Sequence, residues 1–326
     1  SGSHFVAEAL SAGHPVWGVS RSPEPNHVFL PYRWRQENGK NCLATSDNFS
    51  FQTIDLNKQV KELIALIDRV QPELVVNFAA QGMVAESWLN PTHWYQTNVV
   101  AQVALHDELR KRKFLKKYLH VTTPEVYGST DGSWIKEHNH FAPSTPYAVS
   151  RAACDLHLQS FHAAYGFPVV FTRAANVYGP GQQLYRIIPR TLLSARTGKT
   201  MELHGGGHSV RSFIHIRDVV RATMKLALEG EPGSTWHLSG QKCCSIRELV
   251  EKICTVTGSD FNQLVQSSED RLGKDQSYLL ESSSMRQVHD WSDEVSLEEG
   301  LQETLEWVDA HLATLKAMPW SYQHKT

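Results

Sequence analysis

Leu74-Val75-Val76-Asn77-Phe78-Ala79-Ala80-Gln81 and Tyr118-Leu119-His120-Val121-Thr122-Thr123-Pro124-Glu125 each run from continuous apolar residues into small or polar ones. A short run that is apolar at every position, rather than at alternate ones, reads as a strand buried on both faces. Helical stripes surround these runs. Val60, Leu63, Ile64, Ile67 and Val70 share one face, and Pro72 stops that helix before Leu74. A longer helix is predicted from about Pro91 to Arg112, and another from Tyr147 to about Tyr165, ahead of a strand at Val169-Val170-Phe171. Near the start, Phe5, Val6, Ala9 and Leu10 form a short apolar helix face. Gly13 follows as a C-cap, and Val16-Trp17-Gly18-Val19 reads as a strand. Helices alternating with such strands predict an α/β fold, a doubly wound parallel sheet of Rossmann type. Ligands bind at the carboxyl ends of strands in such sheets, which directs attention to the residues after Val19, Phe78, Val121 and Phe171. From about Ala175 onward the alternation loosens, as expected of a smaller mixed α/β region. Ser267 to Asp275 is polar and loop-like.

Composition sets outer bounds. The 326 residues suit one large α/β unit or two closely joined domains. With 41% hydrophobic and 20% charged residues and a formal charge of −2, no global basic field points to nucleic acid or a membrane surface. No apolar run is long enough to span a membrane, and no signal peptide is read. The five cysteines fit no metal spacing and are odd in number, so reduced thiols in a cytoplasmic protein are expected, with no metal site. Cys243-Cys244 reads as a buried strand end.

Four groups of residues carry chemistry. Tyr147 and Arg151 lie four apart on a helix and so share a face. A cation there lowers a Tyr pKa from about 10, and the phenolate can take a hydroxyl proton while hydride leaves the same carbon. An ordinary surface Tyr/Arg pair has the same spacing. Thr123 and Glu125 follow a strand directly, where a carboxylate is a candidate base and a hydroxyl can bond a sugar, although Pro124 and Gly128 are also plain turn residues. Arg186, Arg211 and Arg271 suit forked contacts to phosphate, but a lone arginine is more often solvated surface. Gly2 opens a helix whose free N–H groups could face a pyrophosphate, although Ser1-Gly2-Ser3-His4 also has the composition of a tag remnant. His204-Gly-Gly-Gly-His208 has neither the nucleophile elbow of an esterase nor the helical spacing of a zinc site, and reads as a glycine turn.

Taken in order, these stretches resemble the extended short-chain dehydrogenases, most closely the dTDP-glucose 4,6-dehydratase-like and GDP-mannose 4,6-dehydratase-like members. His120-Val-Thr-Thr-Pro-Glu-Val-Tyr-Gly128 is similar to the family's H-x-S-T-D-E-V-Y-G. Ala142 to Asp155 is similar to A-P-S-S-P-Y-S-A-S-K-A-x-x-D. Asn176-Val-Tyr-Gly-Pro180, Arg211-Ser-Phe-Ile-His215 and, more eroded, Arg271 to Tyr278 resemble the later motifs, and Asn77-Phe-Ala-Ala80 resembles the N-x-A-A beside the cofactor. The resemblance implies an NAD(P)-binding domain over residues 1–175, to which residues about 212–240 return, and a nucleotide-sugar-binding domain over residues 176–326. It implies that Thr123, Glu125, Tyr147 and Arg151 are catalytic. Thr123 would bond the hydroxyl being oxidised, and Glu125 would take the proton at sugar C5. Gly2, Ser20, Arg21, Asp55, Leu56, Ala79, Ala80, Gln81 and Asn98, with Tyr147 and Arg151, would hold the dinucleotide. Asn176, Arg186, Arg211 and Arg271, with Thr123, would hold a nucleoside-diphosphate sugar. The helices near 91–112 and 147–165 would pair with a second copy in a homodimer.

Cofactor choice has a physical handle. An acidic residue at the end of the second strand holds the ribose hydroxyls of NAD. Here that strand ends Val19-Ser20-Arg21-Ser22, which favours NADP, with NAD as the alternative.

Three departures stand out. Pro124 replaces the family's Asp, so no side chain there can protonate a leaving C6 hydroxyl. Arg151 replaces a Lys, keeping the charge but not its compact shape. No strand precedes Gly2, and the stretch carrying the first strand and first glycines of the fingerprint is expected to lie outside this sequence. A 4,6-dehydratase-like enzyme, a related epimerase or decarboxylase, and a catalytically weak binding protein all remain open at this stage. Glu125 favours the first, Pro124 the second, and Pro124 with Arg151 the third.

Overall fold

The computed structural model describes residues 1–35, 42–130, 132–268 and 277–325. In chain order the first half is α1 (Gly2–Ser11), β1 (Val16–Ser20), β2 (Phe49–Thr53), α2 (Val60–Val70), β3 (Leu74–Asn77), α3 (Pro91–Tyr95), α4 (Ala101–Leu109), β4 (Lys117–Val121), β5 (Trp134–Ile135), α5 (Pro146–Tyr165) and β6 (Val169–Ala174). One π-helical turn, Gln96–Val100, joins α3 to α4, so the long helix of the sequence reading is continuous but ends at Leu109. The second half is β7 (Asn176–Tyr178), α6 (Ile187–Thr197), β8 (Met201–His204), β9 (Val210–His215), α7 (Ile216–Glu229), β10 (Thr235–Leu238), β11 (Cys243–Ser245), α8 (Ile246–Thr257), α9 (Phe261–Leu264), β12 (Val265–Ser268), β13 (Ser277–Leu280), α10 (Ser283–His289), α11 (Leu297–Ala310) and α12 (Leu312–Lys316).

Local chemistry explains the element ends. The Thr145 hydroxyl accepts from the Ala148 N–H at the start of α5, Pro146 occupies the first turn, and Gly166 closes the helix in a left-handed conformation. Capping boxes Ser245/Glu248 and Ser296/Glu299 begin α8 and α11.

The main sheet runs β10-β6-β4-β3, all parallel. Its alternating side chains divide between two cores. Leu119 and Val170 join Phe5 of α1 and Val220, Ala227 and neighbours of α7, whereas Tyr118, Val169 and Phe171 join Ile64, Leu105 and Leu158 of α2, α4 and α5. The chain returns to this sheet after β9, because α7 packs on β4 and β6, and β10 pairs with β6. The smaller region is built on β11-β9-β13-β5, with β7 on β9 and a separate β8–β12 pair. Leu192, Leu249, Ile253, Leu301 and Trp307 of α6, α8 and α11 form its core.

β1 and β2 form their own parallel pair. Both β1 and β3 line one large cleft, and among the described residues no strand lies between them. In β1, Trp17 is 46% and Val19 38% exposed, and β2 is its only strand partner among the described residues. Two smaller expectations change. Cys243 does lie on a strand but is exposed. Ser267 and Ser268 end β12 rather than begin a loop, and residues 269–275 lie outside the described residues. All five cysteines are free, and among the described residues no group of side chains suits a metal and no helix is long and apolar enough to cross a membrane.

Candidate active site

The carboxyl end of β4 begins the site. After Val121 the chain turns sharply through a 3₁₀ turn, Pro124–Tyr127, capped by the Thr123 hydroxyl. Gly128 ends that turn at φ 74° and ψ −162°, a conformation that essentially only Gly adopts, and a Cβ there would run into the Ala142 carbonyl oxygen. The turn therefore holds Thr123 and Glu125 at the mouth of the cleft while α5 brings Tyr147 and Arg151 to the same wall.

Tyr147 has its pKa raised above the ordinary value, first by burial and then by the Glu125 charge. Arg151, a hydrogen bond with the Thr123 hydroxyl, and Arg186 oppose that rise. The resting side chain is thus a neutral phenol held between a carboxylate that keeps its proton on and cations that draw it off.

Arg151 turns inward. It is 1% exposed, and one guanidinium nitrogen donates to the Val121 carbonyl and lies 3.3 Å from His120 Nε2. Its Nε and Nη1 are buried without a hydrogen-bond partner among the described residues. Burial, then the neighbouring Arg151, hold His120 well below its usual pKa, so it is neutral. A neutral Nε2 that accepts from Arg151 cannot also donate, so its 3.6 Å approach to Asp155 is no ion pair. Asp155 is neutralised from elsewhere. Arg173 Nη2 donates to it at 2.9 Å with both side chains fully buried, and Thr122 donates to the same oxygen at 2.9 Å. Arg173 also donates to Tyr127 Oη at 2.5 Å, and its guanidinium lies over the Tyr127 and Phe141 rings. Tyr127 in turn bonds His237 Nε2 at 2.8 Å. A continuous buried polar chain thus underlies the wall carrying Tyr147.

The wall carrying Ala79 and Ala80 has its own fixed turn. Asn77 Oδ1 accepts from the Ala79 N–H, and its amide donates to Gln102 and Tyr118, so the Asn of the N-x-A-A stretch shapes the loop that presents Ala79 and Ala80 to the cleft. Gly2, Ser20, Arg21, Asp55 and Leu56 line the same cleft, with Asn176, Arg186 and Arg211 on its other wall. Its volume is about 1800 Å³. Gln81 and Asn98 do not line it. Asn98 is fully buried, accepts from the Gln81 N–H at 2.7 Å and donates to the Gln81 carbonyl and to Ser150, which ties the loop to the helices behind it. Arg271 lies outside the described residues.

The sequence reading missed Asp155 and Arg173 as a pair, because eighteen positions and a change of element separate them. It also missed the chain end, where Tyr322 and His324 bond the Gln81 side chain. No local pattern signals a contact across 241 positions.

Parallel strands with helices on both faces, a Tyr and a cation on α5, and a carboxylate after β4 define an extended short-chain dehydrogenase of the nucleotide-sugar-modifying kind. More narrowly, the chain belongs to the GDP-mannose 4,6 dehydratase family, which it matches over residues 1–304. It is 34% identical over 269 residues to a dTDP-glucose 4,6-dehydratase of Streptomyces niveus, covering 81% of this chain and 77% of that one. It is 28% identical over 267 residues to a trifunctional UDP-glucose 4,6-dehydratase/3,5-epimerase/reductase of Arabidopsis thaliana; that match covers 81% of this chain, which spans about 40% of that longer protein. Among solved structures it is similar to the dTDP-glucose 4,6-dehydratase of Streptomyces venezuelae with NAD bound, with a TM-score of 0.84 and 27% identity over 96% of this chain and 94% of that one.

The buried pair gives a stability prediction. Arg173→Met strands the Asp155 charge in the interior and should destabilise the protein by about 3–5 kcal/mol in a denaturant melt. Replacing both partners by apolar residues should recover much of that loss, and equal losses for the single and double variants would show that the pair's charge balance is not what matters.

Proposed function

We propose that this chain is a nucleoside-diphosphate-sugar 4,6-dehydratase that works with a bound nicotinamide dinucleotide. The carrying observation is that Thr123, Glu125 and Tyr147 stand on one cleft wall. Oxidising a hydroxyl needs only the Thr and the Tyr. A second base is needed when a proton must also leave the adjacent carbon, and Glu125 supplies it. The dehydratase relatives named above support the same reading.

The residues fit a dinucleotide. Arg151, whose Nε and Nη1 have no hydrogen-bond partner among the described residues, lies at the cleft wall beside Tyr147 and would place its charge behind the nicotinamide ribose. Ala79 and Ala80 allow close approach of a ring, and Asp55 and Leu56 stand at the end of β2. When bound, the nicotinamide takes a hydride from the sugar and later returns it.

This chain's own part is acid–base work. Thr123 orients the C4 hydroxyl and Tyr147 takes its proton, with the Arg151 charge stabilising the phenolate. The resulting C4 ketone acidifies C5, and Glu125 removes the C5 proton. Water then leaves from C6. Pro124 cannot protonate the departing hydroxyl, so we assign that delivery to Glu125 as well, which moves one proton from C5 to the C6 oxygen. Arg186, Arg211 and Asn176 would face the diphosphate.

Arg21 and Ser22 after β1, with no carboxylate there, favour NADP over NAD. The free thiols support a reducing, cytoplasmic setting. A second copy of the chain would cover α5 and the π-helical turn ahead of α4, where Val149, Leu156 and Val100 are exposed and Val149 and Leu156, seven apart, share a helix face.

Two measurements test this reading. Incubation with dTDP-, UDP-, GDP- and CDP-sugars should yield loss of one water from one of them by mass spectrometry. In deuterated solvent Glu125→Gln should bind cofactor but leave the sugar unlabelled. Mass-silent turnover would favour the epimerase, and undiminished labelling would remove Glu125 from the mechanism. Separately, Leu156→Glu should convert a dimer to a monomer in light scattering; a parent protein that is already monomeric would refute the pairing.

A further inference from the structure

The chain end crosses from the smaller region to the cofactor side of the cleft. Successive side chains after α12 tie this segment down. Trp320 donates to the Leu315 carbonyl at 3.1 Å, and Lys199 lies over its ring. The Tyr322 ring meets Tyr185 of the cleft wall edge-on at 5.4 Å. The Tyr322 hydroxyl and His324 Nδ1 both accept from Gln81 Nε2, at 2.7 and 3.2 Å. The His324 ring lies parallel to His93 and Trp94, with its Nε2 at 2.9 Å from His93 Nδ1.

Gln81 is the centre of this arrangement. Its amide nitrogen holds the tail, and its amide oxygen accepts from Arg21 Nη2 at 2.9 Å. The same side chain therefore aims Arg21 and anchors the strap. One residue beyond His324, Lys325 Nζ donates to Ser22 Oγ at 2.9 Å. Arg21, Ser22 and Lys325 so converge just past the carboxyl end of β1, where a parallel sheet binds ligands. Among the described residues no carboxylate lies within ion-pair distance of Arg21 or Lys325. A forked cation, a hydroxyl and a compact ammonium, the two cations without an ion pair among the described residues, match a phosphate monoester.

We infer that the C-terminal strap is part of the dinucleotide site, and that Lys325 joins Arg21 and Ser22 to bind the 2′-phosphate of NADP. This rests on the proposed dinucleotide-dependent function and assigns its cofactor preference to a residue at the far end of the chain.

The test is equilibrium titration of the full chain with NADPH and NADH, followed by nicotinamide fluorescence, with adenosine 2′,5′-bisphosphate and ADP as competing probes. The parent should prefer NADPH and the bisphosphate. Lys325→Ala should weaken NADPH about tenfold while NADH changes by less than about twofold, and Lys325→Arg should keep most of the preference. Deleting residues 319–326 should abolish the preference. An unchanged NADPH-to-NADH ratio in Lys325→Ala overturns the inference, as does a deletion that tightens both cofactors equally, which would make the strap a mere obstruction. A parent that binds neither dinucleotide defeats the functional reading itself.

Discussion

The constraint on which the site depends is the buried charge of Asp155. Its position on α5 faces the sheet one turn beyond Arg151, where an unpaired carboxylate would be untenable. Arg173 on β6 neutralises it, and Thr122 at the end of β4 bonds the same oxygen. One carboxylate thereby joins a helix and two parallel strands just below the turn that carries Thr123 and Glu125. With Asp155 taken by Arg173, Arg151 is left to the Val121 carbonyl and a neutral His120, so its charge remains available to Tyr147. The Arg in place of the family's Lys is therefore seated in the interior, with only part of its fork used.

The legible parts of the sequence were those fixed by short-range periodicity. Tyr147 and Arg151 could be placed together because four residues make about one helical turn. Thr123 and Glu125 could be placed at a cleft because a continuous apolar run, Tyr118 to Val121, stops just before them. Gly128 could be read only as a turn residue; its need for a left-handed backbone against Ala142 emerges from the fold. The inward direction of Arg151 depends on His120 across a strand, and that neighbour relation is tertiary.

The contacts of Gln81 with Arg21 and Tyr322 were beyond sequence reading. Gln81 was singled out as a cofactor contact for its place after Ala79 and Ala80. Its side chain, however, serves as a joint between Arg21 and the C-terminal strap. Asn98 similarly supports the loop from behind. Both positions show how a residue in a cofactor motif can act by shaping backbone or aiming a neighbour.

The proposed function turns on hydride transfer from the sugar to a nicotinamide and back, with Tyr147 taking the hydroxyl proton. A single-turnover experiment that follows nicotinamide absorbance after mixing the cofactor-loaded protein with its nucleotide sugar tests this directly. A transient rise in reduced nicotinamide that decays without added reductant is expected, with its loss in Tyr147→Phe while cofactor and substrate still bind. Water loss with no transient, or full turnover by Tyr147→Phe, would contradict it.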